Sequence, residues 1–199
     1  MSREQGRGEL RRERILEAAL AVFTRRGYRD AAMDDIATAS ETSKGGLYFH
    51  FPNKQAIFLA LVDRMAALLM TRAEAAIAAE PDPLARVDAA LEVVLDTFGS
   101  HRSLARLFLV DAPGAGREFN RKLYEIHRTF ADLIARHLAE AVAQGAIAPI
   151  DVRVAGMAWF GAIYEIVTDW VLDPDPTPLE TMAPTLRAIL RRSVGAPAE

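Results

Sequence analysis

Cysteine is absent from this 199-residue chain, which excludes disulfide frameworks and thiolate metal sites and ties the protein to no oxidising compartment. Long hydrophobic runs are absent as well. The longest apolar stretch, Val154 to Tyr164, has 11 residues and ends at Glu165, too short to span a bilayer. The first fourteen residues, MSREQGRGELRRER, are charged throughout and lack the apolar segment of a secretory signal. Alternating strand patterns, internal repeats and low-complexity segments are all missing. These absences point to a cytoplasmic protein that does not enter a membrane.

Strong charge of either sign is missing too. The chain carries 24 Lys+Arg against 27 Asp+Glu, a net charge of −3. Its distribution is uneven: residues 1–54 hold 10 basic against 8 acidic groups, and residues 55–199 hold 14 against 19. A mildly basic head on an acidic body fits a head that meets phosphate, although the asymmetry is small. At 51% hydrophobic and 26% charged, the chain has ample apolar content for a core.

Helical periodicity fills almost the whole length. Ile15, Ala18, Ala19, Val22 and Phe23 form one stripe of a helix over about residues 11–25, which Gly27 ends. Met33, Ile36 and Ala37 mark a short helix. Asn53 caps a long one reaching about Ala79, and further helices follow over about 83–98, 103–111, 118–143, 152–172 and 179–192. APGAG (112–116) loosens the chain, and the tail after Ser193 is read as frayed. The expected fold is all-α, with about nine helices, three short ones first.

The stretch TSKGGLYFHFPNK (42–54) breaks the pattern, because two adjacent glycines are poor helix formers. A short helix, a tight turn and a second short helix with small side chains form a helix-turn-helix, whose second helix enters the major groove. Glycines at 45 and 46 would let the backbone approach DNA. A loop with a hydrophobic plug explains the same residues, and Leu47, Phe49 and Phe51 serve the core under either reading.

The run DDIATASETSKGGLYFHFPNKQAIFLALV, with RILEAALAVFTRRGY before it, resembles the DNA-binding domain of TetR/AcrR-family transcriptional regulators. The match covers about residues 11–62 and includes Ser-Lys-Gly-x-Leu-Tyr-x-His-Phe-x-x-Lys. It implies a head at 1–53, with the motif at about 32–51, and a ligand-binding and dimerisation body at 54–199. It also implies a recognition helix over Ser43 to Phe49, with Thr42, Ser43, Lys44, Gly45 and Gly46 at the groove and Tyr48 and His50 at phosphate or groove. Lys54 opens the next helix, where a cation and a helix N-terminus together suit an anion. Two departures stand out. The family's usual turn glycine falls at Glu41, and Ala31 and Ala32 replace capping threonines, leaving Asp30 to cap.

In the body, residues 152–172 are apolar almost all round the helix, which suits either a dimer-forming helix or a central core helix. Gly156, Ala158, Gly161 and Ala162 would admit a close neighbouring helix. Paired with 179–192, the segment resembles the family's dimer bundle, with Trp159, Ile163, Val167, Trp170, Leu186 and Leu190 at the interface. Large inward apolar side chains suggest a mostly apolar pocket. Met65, Leu69, Leu91, Leu95 and Phe98 are candidates for one side of it, and Phe108, Phe130, Trp159 and Tyr164 for the other. His137 is either its polar anchor or a satisfied core histidine.

Catalysis finds little support. Ser100-His101 has no nucleophile elbow, Gly114-Ala-Gly116 follows no strand, and His137-x-x-Glu140 lacks a third metal ligand. No metal and no cofactor is expected. The resemblance implies a homodimeric repressor that leaves a palindromic operator in double-stranded DNA when a small apolar effector binds. The alternative is an enzyme or carrier that binds such a molecule and never meets DNA.

Overall fold

A computed structural model describes residues 3–111 and 116–196; all but Gly116 of the expected loose stretch 112–116, and the last tail residues, 197–199, lie outside the described residues. Among the described residues the chain forms nine α-helices and no strand. They are α1 (Arg3–Asp30), α2 (Met33–Ala39), α3 (Lys44–His50), α4 (Lys54–Ala78) and α5 (Pro83–Ser100). After α6 (Arg102–Arg106) comes a π-helical turn, Leu107–Asp111, and then α7 (Arg117–Ala143) and α8 (Val152–Leu172). A 3₁₀ turn, Leu179–Met182, leads into α9 (Ala183–Ser193).

Local chemistry sets the boundaries. Gly27 interrupts α1 with φ 78° and ψ 158°, a conformation open to a residue without Cβ. Ser43 caps α3 by accepting from the Gly46 N–H at 3.1 Å. Asn53 caps α4 and Asp82 caps α5 in the same way, each at 2.8 Å. At the start of α2 the cap is not Asp30: the Asp35 carboxylate reaches back to the Ala32 N–H at 3.2 Å.

Two large apolar cores result, with a small third cluster of Ala73, Ile77 and Leu133. In the head, Ile15, Leu16, Phe23, Ile36 and Leu47 pack against Ile57 and Phe58 of α4. Leu107, Phe108 and Phe119 from the body close this core from below. Full burial of a Phe is worth about 1.5–3 kcal/mol, so Phe23, Phe58 and Phe119 are its main contributors. The second core joins Leu69, Leu91, Leu95, Leu138, Trp159, Val167 and Leu186 across α4, α5, α7, α8 and α9. The long α4 therefore belongs to both cores, its first turns to the head and its later turns to the body.

Polar ties fix the body helices. Arg191 pairs with Asp88 at 2.6 Å and Arg187 with Glu92, clamping α9 to α5. Arg102 lies over the Trp170 ring and donates to the Trp170, Val171 and Asp173 carbonyls, so it closes the end of α8. A Cβ on Gly156 would stand 2.6 Å from the Ala131 carbonyl oxygen. That glycine admits α7 of its own chain as its close neighbouring helix.

Candidate functional site

The surface of the head is built from α2, the turn after it and α3. Glu41 takes φ 51° in that turn, the left-handed region, so a non-glycine residue occupies the position where a glycine is easiest. Leu47 is fully buried and anchors α3. Gly45 faces open space, whereas a Cβ on Gly46 would meet Thr42 and Ser43 at about 3 Å. Only Gly45 therefore leaves the outer surface bare; Gly46 makes room for the cap.

Lys44 is exposed and pairs with Asp34 of α2 at 2.7 Å, and that hydrogen bond raises its pKa. Thr42 donates to the Ser40 carbonyl at 3.2 Å. Tyr48 is half exposed, and its hydroxyl makes no hydrogen bond among the described residues. Its neighbour His50 is half-buried, with its ring edge-on to Phe49 at 5.3 Å.

One expectation in the head is corrected. Phe49, assigned to the core, is 85% exposed, because it lies about 200° round α3 from Leu47. Lys54, expected beside a phosphate, donates without DNA to the carbonyls of Tyr28 at 3.0 Å, Arg29 at 2.7 Å and Ala31 at 3.1 Å. An ammonium has three donors. All three of them close the end of α1.

The body encloses a cavity of about 130 Å³. Met65 and Leu69 of α4, Leu91 and Phe98 of α5, Phe108 of the π turn, Phe130 of α7 and Tyr164 of α8 line it. Leu95, His137 and Trp159 do not. Leu95 is buried in the core, and Trp159 points its indole N–H at the Ser193 hydroxyl, 3.0 Å away. His137 lies beside Glu140 at 3.5 Å, where burial lowers its pKa.

The polar side chain that sequence reasoning missed is His127. It lines the cavity with its ring 4.9 Å from both Phe160 and Tyr164. Neither ring nitrogen bonds to another protein group among the described residues. Burial lowers its pKa, so the imidazole is neutral at pH 7. The signal was present: His127 falls at helical spacing between Leu123 and Phe130. Among the described residues no three His, Cys, Asp or Glu gather as a metal site.

The residues assigned to a dimer interface face inward. Ile163 and Val167 line the cavity. Trp170 is buried, with its N–H on the Thr177 carbonyl at 2.8 Å, and Leu186 and Leu190 belong to the core. A helix apolar all round buries its largest side chains first. On these two helices the exposed large apolar side chains are Val154, Met157 and Leu172 of α8 and Ile189 of α9. No helix of the described residues is long and apolar enough to cross a membrane.

Comparison with known proteins finds two family models that match successive parts of the chain. The family model for bacterial regulatory proteins of the tetR family matches residues 15–61, and that for the C-terminal region of YsiA-like proteins matches residues 61–193. The fatty acid metabolism regulator protein of Bacillus subtilis is 24% identical over 177 residues, 88% of this chain and 91% of that protein. The fatty acid degradation regulator FadR from Bacillus halodurans superposes with a TM-score of 0.85 at 20% identity, covering 94% of this chain and 97% of that one. FadR from Bacillus subtilis, in complex with stearoyl-CoA, gives 0.83 at 23% identity over 92% and 97%. At these identities the solved structures show the fold, and the family models, which together span most of the chain, show the kinship. The chain belongs to the tetR family of bacterial regulatory proteins, as a DNA-binding transcriptional regulator and not an enzyme.

Proposed function

We propose that the protein is a homodimeric repressor of the cytoplasm that leaves a palindromic operator when an acyl thioester fills the body. The apolar cavity carries this reading. Its walls are hydrocarbon and aromatic, which suits an acyl chain, and His127 offers one donor and one acceptor for an oxygen at the polar end. The stearoyl-CoA bound to the Bacillus subtilis FadR supports the same ligand class.

The DNA side rests on α3 lying in the major groove with Thr42, Ser43, Lys44, Gly45 and Gly46 near bases and phosphates. Tyr48 and His50 stand at its margin. Two copies of α8 and α9, meeting through Met157 and Ile189, would set the half-site spacing. A path for coupling runs through the aromatic rings. Phe108 lines the cavity and stacks on Phe58 at 6.0 Å, and Phe58 meets Tyr28 at 4.6 Å and Phe23 at 5.5 Å. A guest that displaces Phe108 thus bears on the root of the head. It releases DNA by as much as it prefers the displaced form, and about 1–3 kcal/mol gives 5- to 150-fold.

The test is titration of lauroyl-CoA, with coenzyme A as control, into the protein bound to a duplex selected from a random library. The thioester should release DNA and coenzyme A should not. Ala66→Phe, which fills the cavity, should keep DNA binding and lose the response. Release by coenzyme A alone, or an unaltered response in Ala66→Phe, would remove the cavity from the mechanism.

A further inference from the structure

The most exposed large apolar side chain among the described residues sits on α3. Phe49 is 85% exposed, although burying an aromatic ring is ordinarily favourable and a core lies directly beneath it. The geometry of α3 explains how it is held out. Leu47 points straight into the head core at 0% exposure, and Gly45 and Phe49, two residues to either side, are turned about 160–200° away. Gly45 has nothing within 4 Å of where a Cβ would be, so a bare strip of backbone lies one turn from the Phe49 ring. The His50 ring stands edge-on to Phe49 at 5.3 Å and 86°, which limits the directions the phenyl group can take. Lys44, on the same helix, is already held by Asp34.

A ring projecting from this helix has no hydrogen bond to offer, so it cannot read the donor and acceptor pattern of a base edge. One group in the major groove is apolar, the 5-methyl of thymine. We propose that Phe49 is a specificity-determining residue for DNA, whose ring covers the 5-methyl group of a thymine and sets thymine at a fixed position of the half-site. The bare backbone at Gly45 lets the helix come close enough for that contact. The proposal rests on the placement of α3 in the groove given above, and the experiment separates the two.

Full-length protein is used to select duplexes from a random library, and the selected sequence is then made with deoxyuridine in place of each thymine in turn. Deoxyuridine removes the methyl group and leaves base pairing unchanged. Wild type should lose about fourfold in affinity at one thymine of the half-site, the equivalent of one unburied methyl group. Phe49→Ala should bind thymine and deoxyuridine equally at that position, and Phe49→Leu should keep part of the preference. Phe49 makes no core contact, so all variants should melt with wild type, and circular dichroism checks this. A wild type that selects no sequence would overturn the groove placement and this inference with it. A wild type that selects a sequence yet ignores deoxyuridine at every position would overturn the inference alone, as would Phe49→Ala with the full deoxyuridine penalty.

Discussion

Lys54 and Tyr28 are joined twice: the Lys54 ammonium donates to the Tyr28 carbonyl at 3.0 Å and lies 5.0 Å from the centre of the Tyr28 ring. With two more carbonyls, of Arg29 and Ala31, this lysine closes the end of α1 and seats α4 against it. Lys54→Met keeps the stem and removes the donors, leaving partly buried acceptors unpaired. It should cost about 1–3 kcal/mol in urea unfolding. The salt dependence of DNA binding should stay as it is, because loss of a phosphate contact would lower its slope by about one. A lowered slope at unchanged stability would return Lys54 to the phosphate backbone.

Glu41 at φ 51° pays a conformational cost of about 1–2 kcal/mol that glycine avoids. The greater freedom of glycine in the unfolded chain offsets part of the gain. Glu41→Gly should therefore raise the denaturation midpoint by about 0.5–1 kcal/mol equivalent, and Glu41→Ala should not. Equal stability of the two variants would mean the turn carries no strain.

Gly156→Ala should destabilise the body, since the new methyl meets the Ala131 oxygen at 2.6 Å and the Ala135 backbone nitrogen at 3.1 Å. Backbone atoms cannot step aside as a flexible side chain can. A loss of about 1–3 kcal/mol is expected from overpacking of this kind, read by thermal melting. A variant as stable as wild type would show that α7 and α8 can part at no cost.

Stability should fall as pH drops from about 7 towards 5. His127 and His137 both have pKa values lowered by burial, so below about 6.5 the unfolded chain binds protons that the folded chain does not. Asp88, raised by burial, acts in the opposite sense but nearer the carboxylate range. Replacing both histidines with Gln should flatten the profile of unfolding free energy between pH 5 and 7. An unchanged slope would place the acid sensitivity elsewhere.

Met157→Asp and Ile189→Asp change exposed positions on α8 and α9, so neither should disturb the fold of one chain. If these helices form the dimer, sedimentation should find monomers with a wild-type helical spectrum, and DNA affinity should collapse. Buried Trp170 is unsuited to this test, because a carboxylate there would unfold the body. Dimers that survive both changes would move the interface to another face.

Most of the nine helices were legible because they carry apolar residues at helical spacing between Gly, Pro and capping residues. The helix-turn-helix was legible from its ordered motif. Individual roles were less so. Phe49 is aromatic and sits among aromatics, and only its angular distance from Leu47 separates it from them. Trp159, Trp170 and Val167 lie on a helix with no polar face, and periodicity cannot choose a direction for a helix that is apolar on every side.

The sequence by itself determined the all-α class, the order of the helices, the position of the DNA-binding motif and the kinship it carries. Those are properties of local pattern, decided within a few turns of chain. Tertiary structure alone decided that Lys54 meets the carbonyls of Tyr28, Arg29 and Ala31, more than twenty residues away in sequence. It decided too that His127 rather than His137 reaches the cavity, and that Gly156 receives α7 of its own chain. The physical reason is common to all three. A helix fixes which residues share a face, but which partner that face meets depends on how distant helices cross, and the crossing is set by the summed packing of two cores that share α4.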